Sequence, residues 1–355
     1  MRTIARTAKI GRNLSITSIL RLYLLGVNTN LNDILKMFMK LVIFLSGFLF
    51  VALIVTAFLF LPAAMSEPLI SPVFNVNKLR FSDNVWFPNT HSLGIPQAKA
   101  GPLLTAKAVF AVDASSGQIL FDQGSHIHLP IASLTKIMTV VVAVESQPMD
   151  KQFIISQQAV DMEPDKMFLK AGERLSLKEL LDGIFLVSAN DAAEQLAEST
   201  TGRREEFINI MNSKAAQLGM KDTHFINPTG LEEDPPQNSG VNGQLQYSTA
   251  YDVALMTRYA IKNYPHLLGI SSQPQIIIPE TKNHQSYELN NGINLVTTYP
   301  GVVGFKTGYT PEAGLTLVTV VKRKNQTIIS VLLGSENRRD DAKKLLDFIT
   351  GQLGI

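Results

Sequence analysis

The apolar positions of this chain fall into three regimes. From Leu41 to Leu61 they run without a charge, broken only by Ser46, Gly47 and Thr56. About twenty such residues in a helix match the roughly 30 Å hydrocarbon core of a bilayer, so the pattern predicts a transmembrane helix over 41–61. Residues 62–103 lose that continuity: Pro62, Pro68, Pro72, Pro88, Pro96 and Pro102 recur too often for a helix or a central strand. A solvated tether is expected there, with Trp86 among Phe81 and Phe87 as the part able to pack onto the body. From residue 104 onward the spacing becomes that of a folded domain.

In that body, Ala108–Asp113 and Gln118–Asp122 flank Ser115-Ser116-Gly117, which predicts a hairpin with a glycine in its turn. Ile131 to Glu145 is apolar on most sides and fits a buried helix, although its β-branched residues also suit a strand. Ser176-Leu-Lys-Glu179 is a capping box that opens a helix through Leu177, Leu180, Leu181, Ile184 and Phe185. Further helices are expected from Asp191 through Leu196, over Glu205–Leu218 and over Tyr251–Tyr264, so 150–265 reads as mostly helical. After Pro300-Gly301 the period becomes that of strands: Val302–Tyr309, then a hairpin of Leu315–Lys322 and Thr327–Leu333. An amphipathic helix, Arg338–Leu353, closes the chain. Two early strands and three late ones imply an α+β fold: an antiparallel five-stranded sheet covered on one face by flanking helices, with a helical subdomain inserted mid-chain.

Charge changes the picture at one place. Residues 1–40 carry seven basic side chains (Arg2, Arg6, Lys9, Arg12, Arg21, Lys36, Lys40) against Asp33 alone, while the rest is mildly acidic. A basic head before an apolar run is membrane topology rather than nucleic-acid binding. It places the tail in the cytoplasm and the body outside, as a single-pass cell-membrane protein. A cleaved leader is the alternative, since Pro62-Ala-Ala-Met-Ser66 offers small residues to a signal peptidase, and a start at Met37 or Met39 would shorten the head. Leaders usually have an apolar stretch of about 7–15 residues, so the longer run favours an uncleaved anchor. The expected organisation is a tail (1–40), an anchor (41–61), a tether (62–103) and a catalytic domain (104–355). Cysteine is absent, which removes disulfides, thiol nucleophiles and thiolate metal sites. The histidines form no ligand motif, His126 and His128 read as surface or loop residues, and no phosphate-binding glycine pattern occurs. No metal and no cofactor are expected.

The chemistry lies in three short motifs in a fixed order: Ser133-Leu-Thr-Lys136, Ser188-Ala-Asn190 and Lys306-Thr-Gly308. Each alone is weak; roughly one or two Ser-x-x-Lys matches arise by chance in a chain this long. Ser-x-Asn also occurs at Ser82 and Ser335, but only the copy at Ser188 lies between the other two motifs. On a helix, Ser133 and Lys136 share a face. Ser133 in the first turn would have free backbone N–H groups beside it, suited to a developing oxyanion. A serine hydroxyl needs an adjacent base, and a buried lysine can supply a free amine. A capping serine and a snorkelling lysine are the bland reading, but a lysine without a purpose is costly in so apolar a segment.

With its surrounding residues the set resembles the serine D-Ala-D-Ala carboxypeptidases, low-molecular-mass penicillin-binding proteins that share a fold with the serine β-lactamases. The resemblance is carried by Pro130-Ile-Ala-Ser-Leu-Thr-Lys-Ile-Met-Thr139, Leu186-Val-Ser-Ala-Asn-Asp-Ala-Ala193, Leu218-Gly-Met220 with Asn227-Pro-Thr-Gly-Leu231, and Gly301-Val-Val-Gly-Phe-Lys-Thr-Gly-Tyr-Thr310 with Ala313-Gly314. It spans about residue 104 to the C-terminus. It implies Ser133 as nucleophile, Lys136 as base, Ser188 as proton relay and Asn190 as the group orienting Lys136 and the substrate amide. It also implies Lys306, Thr307 and Gly308 as the substrate-carboxylate strand, and the N–H groups of Ser133 and Tyr309 as the oxyanion hole. Asp191 is left as structural.

The implied reaction removes the terminal D-Ala from peptidoglycan stem peptides through an acyl-enzyme on Ser133, with β-lactams as inhibitors. A D,D-endopeptidase cleaving crosslinks uses the same motifs. The chain ends soon after its last helix, without the extra β-rich domain of many members, which leans towards that alternative. A membrane-anchored β-lactam sensor is the alternative of another class. A β-lactamase is disfavoured, because no Glu-x-x-Leu-Asn follows Asn190 before Lys306.

Overall fold

The computed structural model describes residues 101–232 and 246–355, together with Lys36, Met39, Lys40, Val42, Ile43 and Ser46, which are helical and exposed. The chain divides into two units, Met1–Val73 and Phe74–Ile355. Apart from those six positions and Gly101–Leu103, the expected tail, anchor and tether lie outside the described residues. Among the described residues no helix is long and apolar enough to cross a membrane.

The second unit is built on one antiparallel sheet of β1 (Ala108–Asp113), β2 (Ile119–Gln123), β7 (Val302–Thr310), β8 (Gly314–Arg323) and β9 (Gln326–Ser335), in the spatial order β2-β1-β9-β8-β7. Among the described residues, the helices longer than four residues are α1 (Lys136–Ser146), α2 (Leu177–Leu186), α3 (Asn190–Thr200), α4 (Arg204–Gln217), α5 (Ala250–Asn263), α6 (His266–Ser271) and α7 (Arg338–Leu353). Two small ribbons that the periodicity did not disclose, β3 (Gln152–Ile154) with β4 (Arg174–Ser176) and β5 (Gln275–Ile278) with β6 (Tyr287–Asn290), lie within the otherwise helical middle of the chain and just after it. Strands of three or four residues are too short to show a period of two.

One expectation needs correcting: the sheet is covered on both faces. Phe110, Val112, Val318, Val320, Ile329 and Val331 point into the larger core, which they share with α1–α5. Val109, Ala111, Leu317, Val321, Ile328 and Leu332 point the other way, onto Ala342, Leu345, Leu346 and Ile349 of α7. The cause is visible in the central strands, which are apolar at nearly every position instead of alternating with polar residues, as a sheet buried on both sides requires. Thr319 and Ser330 are cross-strand partners on the α7 side and satisfy each other by a hydroxyl–hydroxyl bond of 2.6 Å. The capping box is present as read: Ser176 accepts from Glu179 N, and the Glu179 carboxylate accepts from Ser176 N at 2.7 Å. The predicted helix at 131–145 is a 3-10 turn, Ala132–Thr135, running into α1.

Candidate active site

α1 is buried along most of its length, so the side chains at its start face protein rather than water. Ser133 sits in the 3-10 turn just before it, after Ala132 in a left-handed conformation (φ 48°) that L-residues seldom adopt. Two glycines make room for this turn. A Cβ on Gly308 of β7 would stand 2.8 Å from Ser133 N, and one on Gly230 would stand 2.0 Å from Ala132 O. The turn is therefore gripped between the sheet edge and the 227–231 loop, closer than any side chain allows. The bare Cα of Gly308 admits the backbone of Ser133.

Lys136 is fully buried, and its Nζ donates to Ser133 Oγ at 2.8 Å, Asn190 Oδ1 at 2.6 Å and the Thr229 carbonyl at 2.6 Å. Asn190 opens α3, and its own backbone N–H, one of the orphan donors of a helix start, goes to Asp165 O at 2.7 Å. Asp191 follows it. Its buried carboxylate accepts from Met167 N and Leu169 N at 3.1 Å each and from Ala192 N at 2.9 Å, which fastens the 165–169 segment to the Asn190 corner. Burial raises the Asp191 pKa even against those three donors. The reading of Asp191 as structural matches this position.

Ser188 lies between α2 and α3 with a left-handed backbone (φ 62°), and its Oγ accepts from Lys306 Nζ at 2.9 Å. Lys306 is 1% exposed, on β7, and also donates to the Thr307 carbonyl at 2.8 Å. Burial, helped by the nearby Lys136 and Arg338 charges and opposed by Asp165, holds the Lys306 ammonium well below its ordinary 10.5. β7 ends the strand order, so among the described residues no strand pairs with its outer edge. Tyr309, next to Gly308 on that strand, is 60% exposed.

Sequence motifs alone missed two groups of residues. Arg338 Nη1 donates to Gly308 O at 2.8 Å, and burial lowers the guanidinium pKa. A clue existed: an arginine in the first turn of a helix works against the helix dipole, where carboxylates are favoured. The other is the Asn227-Pro-Thr-Gly230 loop, which supplies a main-chain carbonyl to Lys136. The segment carries part of the family resemblance, but nothing in its residue types assigns a role to the Thr229 carbonyl.

A buried cation at Lys306 predicts a pH effect. On the reading of Lys306 as the carboxylate-binding cation, affinity for a peptide with a free C-terminal carboxylate depends on the charged ammonium. That charge is lost as pH rises through a pKa lower than that of a surface lysine. We expect KM for such a peptide to rise on the alkaline side below pH 10.5, the ordinary value. The same peptide with an amidated C-terminus should show no such rise, and parallel curves for the two would contradict this.

Comparison with known proteins covers most of this part of the chain. A family model described as D-alanyl-D-alanine carboxypeptidase matches residues 95–337. The chain is 34% identical over 255 residues to the D-alanyl-D-alanine carboxypeptidase DacF of Bacillus subtilis, covering 70% of this chain and 62% of that relative. It therefore spans about three fifths of that relative's length. Among solved structures, the Streptomyces K15 DD-transpeptidase superposes with a TM-score of 0.64 at 26% identity, over 71% of this chain and 99% of that one. Penicillin-binding protein D2 from Listeria monocytogenes, in its ampicillin-bound form, gives 0.60 at 26% identity, over 70% and 98%.

Proposed function

Since the chain belongs to the D-alanyl-D-alanine carboxypeptidase family, we propose that it removes the terminal D-Ala from peptidoglycan stem peptides by serine acyl transfer. The observation that carries this reading is the contact of the buried Lys136 Nζ with Ser133 Oγ. As a free amine, Lys136 takes the Ser133 proton while Oγ attacks the carbonyl carbon of the penultimate residue. The oxyanion that forms is held by the N–H groups of Ser133 and Tyr309, donors of a kind worth about 10²–10³-fold in rate. Collapse breaks the peptide bond and leaves an ester on Ser133. The proton taken from Ser133 departs on the leaving amine, passed through Ser188, which accepts from Lys306 and can turn its own hydrogen to the substrate. Water then hydrolyses the ester. Lys306, with Thr307, receives the substrate's terminal carboxylate at the open edge of β7, where an extended peptide can lie as an added strand. β-Lactams present the same bond within a ring and acylate the same serine.

The apolar run Leu41–Leu61 behind its basic head supports a single-pass anchor, with the catalytic domain on the outer face of the cell membrane. The test is mass spectrometry of muropeptides after incubation with the protein, with and without prior acylation by penicillin. The input mixes pentapeptide monomers with crosslinked dimers. Loss of one alanine from monomers, blocked by penicillin, is the expected result. Splitting of dimers in its place would make the protein a D,D-endopeptidase. If neither changes while the protein still takes up penicillin, hydrolysis is excluded and a β-lactam sensor remains.

A further inference from the structure

Three groups converge on the Lys136 amine, and the third comes from a loop far away in sequence that is built to deliver it. Asn227 is fully buried. Its Oδ1 accepts from Gly230 N at 2.7 Å, Thr229 N at 3.2 Å and Thr229 Oγ1 at 3.3 Å, while its Nδ2 donates to Leu231 O at 2.6 Å. One side chain thus closes both ends of the turn. The turn is then fastened to the residues on either side of Lys136. Thr139 Oγ1 donates to Pro228 O at 2.6 Å, and Gln246 links Ile226 N (3.0 Å) to Thr135 Oγ1 (3.0 Å). The product of these bonds is the position of the Thr229 carbonyl, 2.6 Å from Lys136 Nζ.

A carbonyl oxygen can accept a hydrogen but not donate one, and the same holds for Asn190 Oδ1. A neutral amine has two hydrogens and one lone pair. With both hydrogens drawn to Asn190 and Thr229, the lone pair is left facing Ser133 Oγ, the partner among these three that can give up a proton. Without the Thr229 carbonyl the amine can turn a hydrogen towards Ser133 and its lone pair away. We propose that Asn227 is a positioning residue for the proton transfer: by clamping the 227–231 turn it holds the Thr229 carbonyl on Lys136 and so aims the amine's lone pair at the nucleophile. The inference rests on the reading of Lys136 as the base.

The test measures the second-order rate of acylation of the full-length protein by a fluorescent penicillin across pH, for wild type, Asn227→Ala and Asn212→Ala. Asn212 makes a comparable set of bonds, from Nδ2 to Phe225 O (2.8 Å) and Ile208 O (3.1 Å) and to Oδ1 from Phe225 N (2.8 Å), without touching the turn. It controls for lost stability. A carbonyl stabilises the ammonium more than the amine, so its release eases deprotonation while spoiling the aim. For Asn227→Ala we expect the alkaline plateau to fall about tenfold and the rising limb to move to lower pH by up to about one unit. Asn212→Ala should change the melting temperature but neither feature of the profile. A plateau that falls with the limb unmoved, or a profile identical to wild type, overturns the proposal. If Asn227→Ala does not fold, Thr139→Val loosens the same turn more gently. It must shift the limb in the same direction, and an unmoved limb again overturns the idea. A wild-type protein that takes up no penicillin, or does so at a rate flat in pH, would remove the underlying base reading and this proposal with it.

Discussion

Ser133→Ala ends covalent uptake of penicillin and lowers D-Ala release by at least about 10⁴-fold, the scale seen when an acyl-transfer nucleophile is removed. The argument starts from geometry. The Ser133 hydroxyl is the group on the 3-10 turn that meets the Lys136 amine, and the turn itself is held by backbone contacts that alanine preserves. Thr316 Oγ1 donates to Ile131 O at 3.3 Å just before it, and Leu134 N donates to the same carbonyl at 3.1 Å. The substitution therefore removes one oxygen without loosening its frame, and the melting temperature should move by no more than a few degrees. Intact-protein mass spectrometry reads the adduct directly. A covalent penicillin adduct on Ser133→Ala would place the nucleophile elsewhere and sink the mechanism.

Lys136→Met has the next largest effect. Methionine nearly matches the length of the lysine stem and keeps the packing of α1, so the loss falls on the proton-transfer step. General-base contributions run to about 10²–10⁴-fold, and an unassisted serine at neutral pH sits at the upper end. The acylation rate should fall by roughly 10³–10⁴-fold, while weak binding of the substrate before chemistry stays near its wild-type value. Stability should change little. The variant escapes the cost of burying an amine but leaves Asn190 Oδ1 and the Thr229 carbonyl without this donor. Stopped-flow acylation separates the two steps. A lowered affinity with an unchanged acylation rate would make Lys136 a binding residue, not a base.

Local patterns in the sequence carried much of the framework. The hairpin at 108–122, the capping box at Ser176, the late strands and the closing helix at Arg338–Leu353 all stand where periodicity and end signals put them. These features are set by neighbours within a few residues, and such rules can be read along a chain. The short ribbons and the second covered face were not legible in the same way. Three-residue strands carry no period, and an apolar strand does not announce how many layers will lie against it.

The site divides along the same line. The chain by itself determined which side chains with acyl-transfer chemistry it holds, and in what order: Ser133 with Lys136, Ser188 with Asn190, and Lys306 to Tyr309. Only the tertiary structure decided what surrounds them. It is long-range packing that brings Thr229 O to Lys136, Arg338 to Gly308 O, and the bare Cα atoms of Gly230 and Gly308 against the Ser133 turn. The physical reason is that these contributions are main-chain carbonyls and absent side chains. Every residue carries a carbonyl, so its identity says nothing about where that oxygen points. A glycine in a sequence likewise does not name the atom that will need its space.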